Sequence, residues 1–162
     1  MSQETIMGLS VEDHRIAFTE VAFLIDIFTS TIDNIMGGST SSVGRMAGRD
    51  TAKKYPLFLN NPSLEDAVAV VATRMNAGFE ISFEPLINEN EDSDTNSNSA
   101  TVVIDRCILR DICQQRGIEM GQAMCRLFHS YFDGVINELI NRPVKSEISE
   151  CGKTCRATIR TQ

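Results

Sequence analysis

Several sequence features that mark common functional classes are absent from this chain of 162 residues. No apolar run approaches the ~20 residues that a membrane-spanning helix needs, so no transmembrane segment is expected. The sequence has neither a Walker phosphate-binding loop nor a glycine fingerprint for a dinucleotide, and no carboxylate pair stands out for acid–base chemistry. With only two histidines, a catalytic dyad is not indicated either. We therefore predict no catalytic residues and a protein that is not an enzyme.

Positive charge is scarce as well. The net charge is −7 at pH 7, whereas a nucleic-acid-binding surface needs an excess of lysine and arginine. Nucleic acid is therefore not an expected partner of this chain. No basic stretch precedes an apolar one at the start of the sequence, so no secretory signal is evident and a cytoplasmic location is expected.

The composition is that of an ordinary globular protein. Apolar residues make up 42% and charged residues 23% of the chain, and the length suits one domain with a substantial core. We predict a single domain over residues 1–162, with a short tail at residues 1–9. From residue 88 to residue 99 every side chain is that of Asn, Glu, Asp, Ser or Thr, which predicts a flexible acidic loop.

Hydrophobic periodicity and capping residues divide the chain into helices and strands. Ser10 and Ser63 each precede an aspartate by three residues, which predicts a capped helix start. Residues 107–115 are predicted to form a short helical or irregular turn. The predicted helices span residues 11–36, 41–54, 64–76 and 118–141, and the predicted strands span residues 79–84, 101–106, 144–150 and 155–161. Because helices and strands come in separate blocks, we predict an α+β fold: an antiparallel four-stranded sheet packed on one face by about four helices.

The first predicted helix carries apolar residues on nearly every side. A helix of this kind is usually covered by more than one neighbour, which in one small domain favours a subunit partner. Its wide stripe consists of Ile16, Val21, Leu24, Ile25, Phe28, Ile32 and Ile35, with Phe18, Phe23 and Ile27 outside it.

The second predicted helix contains Gly44 and Gly48. Two glycines inside a helix cost about 2 kcal/mol relative to alanine, so something should compensate. Close packing against another helix and room for a ligand are the two candidates.

All five cysteines lie between Cys107 and Cys155, and no Cys-x-x-Cys pair occurs among them. Cys125 belongs to the predicted long helix, while Cys151 and Cys155 bound the turn between the last two strands. If the hairpin returns to the helix, these thiols supply three of the four ligands that zinc requires. The candidates for the fourth ligand are His129, Glu147 and Glu150. Two other interpretations stay open: the thiols are small buried hydrophobic groups, or Cys151 and Cys155 form a disulfide across the turn.

The C-terminal part of the sequence resembles a known family. Cys107 follows a strand, Cys125 lies in a long amphipathic helix, and a glycine-containing turn then reads Gly-Lys-Thr-Cys-Arg-Ala-Thr-Ile at residues 152–159. Together with the glycine-containing helix at residues 44–55, this pattern looks like the 4-vinyl-reductase domain. That domain is a small-molecule-binding module related in fold to the core subunits of the TRAPP vesicle-tethering complexes. The resemblance covers roughly residues 15–160.

The resemblance implies a function and a metal site. Members of the family bind hydrophobic molecules, among them aromatic effectors in phenol-sensing transcription activators and tetrapyrroles in bacteriochlorophyll synthesis, and they are commonly homodimeric. In the phenol sensors the domain holds a structural zinc through three cysteines and a glutamate. The residues of this chain that resemble those zinc ligands are Cys125, Cys151, Cys155 and Glu147.

These arguments together predict a non-enzymatic module that binds a hydrophobic or tetrapyrrole-like molecule and acts as a homodimer in sensing, carrying or assembly. Its pocket would lie between the helices and the sheet, and the competing interpretation is that the lining residues only pack against one another. The best lining candidates are Phe58, Met75, Phe79, Phe83, Met124, Phe128 and Phe132. The alternatives are a dimeric assembly or scaffold factor without a ligand, and an accessory protein of vinyl reduction in chlorophyll or bacteriochlorophyll synthesis.

Overall fold

The computed structural model of the protein describes residues 10–54, 60–76, 78–84 and 99–162. Over these ranges the elements are α1 (Val11–Met36), α2 (Thr40–Lys54), α3 (Leu64–Arg74), β1 (Phe79–Glu84), β2 (Ser99–Cys107), α4 (Ile108–Arg116), α5 (Ala123–Ile140), β3 (Val144–Cys151) and β4 (Cys155–Thr161). The predicted α+β class is confirmed, with a four-stranded antiparallel sheet. The described helices number five rather than about four, because residues 108–116 form a regular helix. The predicted tail and all but the last residue of the predicted acidic loop lie outside the described residues.

Local hydrogen bonds explain why the first and third helices begin where they do. The Ser10 hydroxyl accepts from the Asp13 backbone N–H at 3.1 Å, and the Asp13 carboxylate accepts from the Ser10 N–H at 2.8 Å. Ser63 and Asp66 repeat this capping box at the start of α3. Both predicted helix starts are therefore confirmed. Gly37 ends α1 in the left-handed conformation, at φ 61°.

The sheet has the strand order β1-β2-β4-β3, so β2 and β4 are its central strands. Each residue of β2 that faces the helices has a partner on β4: Ala100 lies opposite Ile159, Val102 opposite Ala157, and Ile104 opposite Cys155. All of these residues are buried. The first two pairs join buried residues of α3 and α5 in the main hydrophobic core, whereas Ile104 and Cys155 pack with Phe79 and Cys107 in a neighbouring cluster.

The long fifth helix begins five residues later than the sequence predicts, at Ala123 rather than near residue 118. Gly117 ends α4 with φ 65°, and Gly121 has φ 80°, so neither residue can continue a right-handed helix. The intervening turn places Ile118 and Met120 against the buried residues of α4 and α5 instead. The predicted helix start at residue 118 was therefore wrong because a second left-handed glycine separates the two helices.

Close backbone packing explains the glycines of α2. A Cβ at Gly44 would lie 2.5 Å from the Leu127 carbonyl oxygen, and one at Gly48 would lie 2.9 Å from Val135 N. On the facing helix, a Cβ at Gly134 would lie 2.9 Å from the Arg45 carbonyl carbon. Ordinary contacts of this kind begin at 3.4 Å, so α2 and α5 approach more closely than any side chain would allow. Of the two explanations for these glycines, helix packing is the one that the structure supports.

The apolar residues of α1 point mainly away from the domain. The inward side of the helix is lined by Ala22, Asp26 and Thr29, all of which are buried. By contrast, Phe28 is 63% exposed and Ile35 is 78% exposed, and eight further large apolar side chains of the helix are exposed as well.

Within the described part of the chain, no helix combines the length and the apolar character that crossing a bilayer requires.

Candidate ligand cavity and cysteine cluster

A small cavity lies between α3, α5 and the inner face of the sheet. Its volume is about 30 Å³. Most of its wall is apolar, but three polar side chains also line it. The apolar lining residues are Val68, Val71, Ile81, Val102, Ile104, Phe132, Ile136, Ala157 and Ile159, and the polar ones are His129, Asp133 and Ser146. We call this the ligand cavity.

Asp133 is the most unusual group at the ligand cavity, since it is a carboxylate only 2% exposed. Its Oδ2 accepts a hydrogen bond from Ser146 N at 3.0 Å, and the guanidinium of Arg45 lies 3.9 Å away. Among the described residues its Oδ1 has no hydrogen-bond partner, and neither has Ser146 Oγ, although this hydroxyl lies close enough to the carboxyl to lower its pKa. Burial raises the pKa of the Asp133 carboxyl, while the hydrogen bond from Ser146 N and the charge of Arg45 oppose that shift.

His129 lies one helical turn before Asp133 on α5, so the two side chains share a face of the helix. Burial lowers the pKa of His129 to about 4, because the charged imidazolium would lose its hydration. The ring is therefore neutral at pH 7 and offers one donor and one acceptor nitrogen. Sequence reasoning missed Asp133 and Ser146 as cavity residues. A carboxylate four residues after a histidine, inside the apolar part of a helix, was the available signal.

Three of the predicted lining residues form an aromatic cluster. The rings of Phe79 and Phe128 stack with centroids 4.4 Å apart, and Phe128 meets Phe132 edge to face at 4.5 Å. Of these only Phe132 also lines the ligand cavity. The other two fill space next to it, in line with the alternative that such residues pack against one another.

The remaining predicted lining residues are spread over the molecule. Met75 packs on the core beside the aromatic cluster. Met124 is buried with Ala22 of α1 and residues of α4, in a separate core cluster. Phe83 is 41% exposed on the edge strand β1. Phe58 lies outside the described residues.

The thiols of the C-terminal part come together at the end of the β3–β4 hairpin. Cys151 and Cys155 have their Sγ atoms 3.6 Å apart. Gly121 lies between this pair and the start of α5. Its N–H donates to Cys125 Sγ at 3.4 Å, and a Cβ at this glycine would lie 3.9 Å from Cys151 Sγ. All five cysteines are free thiols. The structure thus brings the three predicted cysteine ligands into one neighbourhood, which we call the cysteine cluster (Cys125, Cys151 and Cys155).

Burial disfavours the thiolate form at this end of the molecule. It raises the pKa of Cys125, raises the pKa of the neighbouring Cys113 to about 11, and raises the pKa of Cys151 to about 12. Each of these thiols also lies close enough to other sulfurs for their charges to add to the shift. Zinc binding would have to overcome both effects, since it needs deprotonated thiols.

Glu147, the predicted fourth zinc ligand, lies apart from the cysteine cluster. It pairs with Thr158 in the register and its side chain is 75% exposed, where it approaches Arg160 at 3.9 Å. Successive side chains of a strand point to opposite faces of the sheet, so Thr158 lies on the face opposite to Cys155 and Ala157. Glu147 shares the face of its partner Thr158, and its carboxylate therefore faces away from the thiols. In the ranges that the structure describes, no group of three or more His, Cys, Asp or Glu side chains is arranged to hold a metal ion. Zinc binding therefore stays a prediction that rests on the sequence resemblance.

Arg110 of α4 is a charged residue at the cysteine cluster that sequence reasoning missed. It is only 8% exposed. Its guanidinium donates to the carbonyl oxygens of Asp105 and Ile104, at 2.9 and 3.1 Å, and contacts Cys155 Sγ at 3.7 Å. Within the ranges that the structure describes, its Nε has no hydrogen-bond partner.

Comparisons with known proteins identify the fold and no family. The sequence matches no protein-family model, and no curated protein matches it significantly. Among solved structures, the phenol-responsive sensory domain of the transcription activator PoxR, with phenol, aligns with 86% of this chain and 74% of that chain. Its sequence identity is 13% and its TM-score is 0.53. A structure described as "Modulating Heme Redox Potential Through Protein-Induced Porphyrin Distortion" aligns with 85% of this chain and 73% of that chain, at 10% identity and a TM-score of 0.45. The likeness to the PoxR domain shows a shared fold.

Proposed function

We propose that this protein binds a small, mostly apolar molecule with one hydroxyl group in the ligand cavity, and that it senses or carries this molecule rather than transforming it. The observation that carries the proposal is the pair of buried atoms Asp133 Oδ1 and Ser146 Oγ, which have no hydrogen-bond partner in the described part of the chain and belong to the wall of a mostly apolar cavity. Leaving a buried polar group unpaired costs about 1–3 kcal/mol. A ligand hydroxyl that donates to Asp133 removes part of this cost.

The size of the ligand cavity favours a single-ring molecule over a tetrapyrrole. Pockets for drug-sized ligands measure roughly 300–1,000 Å³, whereas this cavity measures about 30 Å³. Binding of even one ring therefore requires α3, whose Val68 and Val71 form part of the wall, to move outward from α5. Phenol is the molecule named for the PoxR sensory domain, and it has the single ring and single hydroxyl that this site calls for. An accessory role in vinyl reduction would require a much larger pocket.

Isothermal titration calorimetry with phenol and toluene tests the proposal, because the two molecules have nearly the same shape and only phenol has a hydroxyl. We expect phenol to bind about tenfold more tightly, since a hydrogen bond to a charged group contributes about 1.5 kcal/mol or more. Asp133→Asn should reduce that preference, because the amide keeps an acceptor for Ser146 N but loses the charge.

A second variant controls for the location of the site. Val71→Phe fills the ligand cavity and should abolish binding of both phenol and toluene, while circular dichroism verifies that the domain still folds. If Val71→Phe binds phenol as tightly as the wild type, the site lies elsewhere and the proposal fails. A wild-type protein that binds neither molecule would contradict the ligand class.

We further propose that two copies of the chain associate through α1. Its outward face exposes ten large apolar side chains, and Leu24 and Phe28 are more than half exposed. Burying such a face is favourable by roughly 25 cal/mol per Å² of apolar surface. A stable interface typically covers about 800 Å² on each partner, and a helix of 26 residues offers a surface of that order.

Sedimentation velocity measures the association. The wild type should sediment as a dimer, whereas Phe28→Glu should sediment as a monomer because it places a charge within the apolar face. Thr73→Glu, at an exposed position of α3, is the matched control and should remain dimeric. A wild type that is monomeric at high concentration contradicts this proposal. A dimer that binds no small molecule in the calorimetry would favour the alternative of an assembly factor.

A further inference from the structure

The end of the β3–β4 hairpin holds two thiols whose geometry suits reversible oxidation. Cys151 and Cys155 lie directly opposite each other in the antiparallel register, with Sγ atoms 3.6 Å apart. A disulfide needs Cα atoms about 4.4–6.8 Å apart, and opposite residues of an antiparallel pair fall within that range. The bond can therefore form through side-chain rotation, without rearrangement of the strands.

The two thiols differ in a way that assigns each a separate role. Cys151 is exposed, so a molecule from solution can reach it, while Cys155 is buried at 5% exposure. Arg110 lies on the buried side of the pair, with its guanidinium 3.7 Å from Cys155 Sγ. The same guanidinium is held by the carbonyl oxygens of Asp105 and Ile104, so it contacts Cys155 Sγ from a fixed position.

We propose that Cys151 and Cys155 are a redox-active pair that low-molecular-weight disulfides oxidise, with Arg110 as its positioning residue. In the first step Cys151 loses its proton to solvent, and the thiolate, a minor form at pH 7, attacks a disulfide RSSR. This gives a Cys151–SR mixed disulfide and releases RS⁻. In the second step the Cys155 thiolate attacks Cys151 Sγ, which forms the intramolecular disulfide and expels the second RS⁻. Each protein sulfur loses one hydrogen, and RSSR is reduced to two molecules of RSH.

The third thiol of the cysteine cluster is less well placed for this reaction. Cys125 Sγ accepts a hydrogen bond from Gly121 N at 3.4 Å, and the residue is fixed in the first turn of α5. Cys151 and Cys155, in contrast, are joined by a turn of only three residues and already contact each other through their sulfurs. The structure therefore favours a bond within the hairpin over a bond between hairpin and helix.

The experiment exposes the reduced full-length protein to oxidised and reduced glutathione in varied ratios, followed by acid quenching, alkylation and peptide mass spectrometry. Trypsin cleaves after Lys153, between the two cysteines, so their disulfide is seen directly as two linked peptides. We expect this linked pair to form reversibly. Cys155→Ser should instead stop at the glutathione adduct of Cys151, and Cys125→Ser should form the linked pair as the wild type does.

Arg110 is tested by the rate at which the mixed disulfide on Cys151 is resolved. Arg110→Gln should slow this step about tenfold because the guanidinium contact that orients Cys155 Sγ is lost, and Arg110→Lys should restore most of the rate. Thermal unfolding of each variant verifies that it is folded. The proposal is overturned if Cys125 is the linked partner, if all thiols stay reduced at every glutathione ratio, or if elemental analysis finds one zinc per chain that blocks oxidation.

Discussion

Replacing Gly48 by alanine separates helix propensity from helix packing, because the two predict opposite changes in stability. Alanine is favoured over glycine inside a helix by about 1 kcal/mol. The added Cβ, however, would lie 2.9 Å from Val135 N and closer still to the Tyr131 carbonyl oxygen, whereas ordinary contacts begin at 3.4 Å. Both are backbone atoms of α5, so rotation of a side chain cannot relieve the overlap.

The size of the effect follows from these two contributions. Inserting a carbon into a well-packed site costs about 1–3 kcal/mol, and we expect the upper end here because the backbones of α2 and α5 must separate. Subtracting the gain in helix propensity leaves a loss of about 2 kcal/mol in the free energy of unfolding. For a domain of this size that lowers the melting temperature by about 4–8 °C.

Thermal and urea unfolding, followed by circular dichroism, measure this loss. The matched control is Ala47→Gly at the exposed neighbouring position of the same helix. It should lose about 1 kcal/mol through propensity alone. A Gly48→Ala variant that unfolds at or above the wild-type temperature would refute the close packing of α2 and α5.

Three further predictions concern stability. Because burial lowers the pKa of His129 from 6.5 to about 4, the unfolded chain takes up the proton first. The free energy of unfolding should therefore be highest above pH 6.5 and should fall by about 3 kcal/mol as the pH is lowered from 6.5 to 4. His129→Gln should flatten that part of the pH profile, measured by urea unfolding. Ser63→Ala removes the hydroxyl that accepts from Asp66 N at 3.1 Å, so urea unfolding should show a loss of about 1 kcal/mol. Ile136 is 1% exposed, and thermal unfolding should show a loss of about 2–5 kcal/mol for Ile136→Ala but only about 1 kcal/mol for Ile136→Val.

The ends of several elements were predictable because single residues determine them. Ser10 and Gly37 set the limits of α1 through a capping box and a left-handed stop, and both signals can be read from the sequence. Alternating apolar residues predicted β4 with its observed limits. Local chemistry of this kind acts within four or five residues and needs no knowledge of the rest of the fold.

The start of α5 and the role of Asp133 were not predictable, because both depend on parts of the fold that are distant in sequence. The apolar spacing from Ile118 onward continues through Gly121, so periodicity alone does not show that this glycine takes a positive φ. Asp133 is adjacent to Phe132 in an apolar stretch. Only the fold reveals that Ser146 N of β3 donates to one of its oxygens, while the other has no partner among the described residues. Strand order and helix docking decide both outcomes.

The apolar stripe of α1 illustrates a further difference between pattern and structure. The sequence indicates an unusually apolar helix, yet the side that packs on the domain contains Asp26 and Thr29. Periodicity identifies which residues share a face, but it does not say whether the domain or a second molecule covers that face. The exposure of Phe28 and Ile35 is therefore the observation that gives the predicted subunit partner a specific surface.

The ligand cavity and the cysteine cluster are joined through Ile104, which lines the former and packs with Cys155 of the latter. The Ile104 carbonyl oxygen also accepts from Arg110, which contacts Cys155 Sγ. A disulfide that draws this sulfur toward Cys151 leaves Arg110 with fewer partners beside Ile104, the residue that lines the cavity. Phenol affinity is therefore expected to differ between the reduced and the oxidised protein, and linkage then requires phenol to shift the thiol–disulfide equilibrium by the same factor. Calorimetry on both forms measures the first change and glutathione titration with phenol measures the second; equal phenol affinities in the two forms would show that the sites act independently.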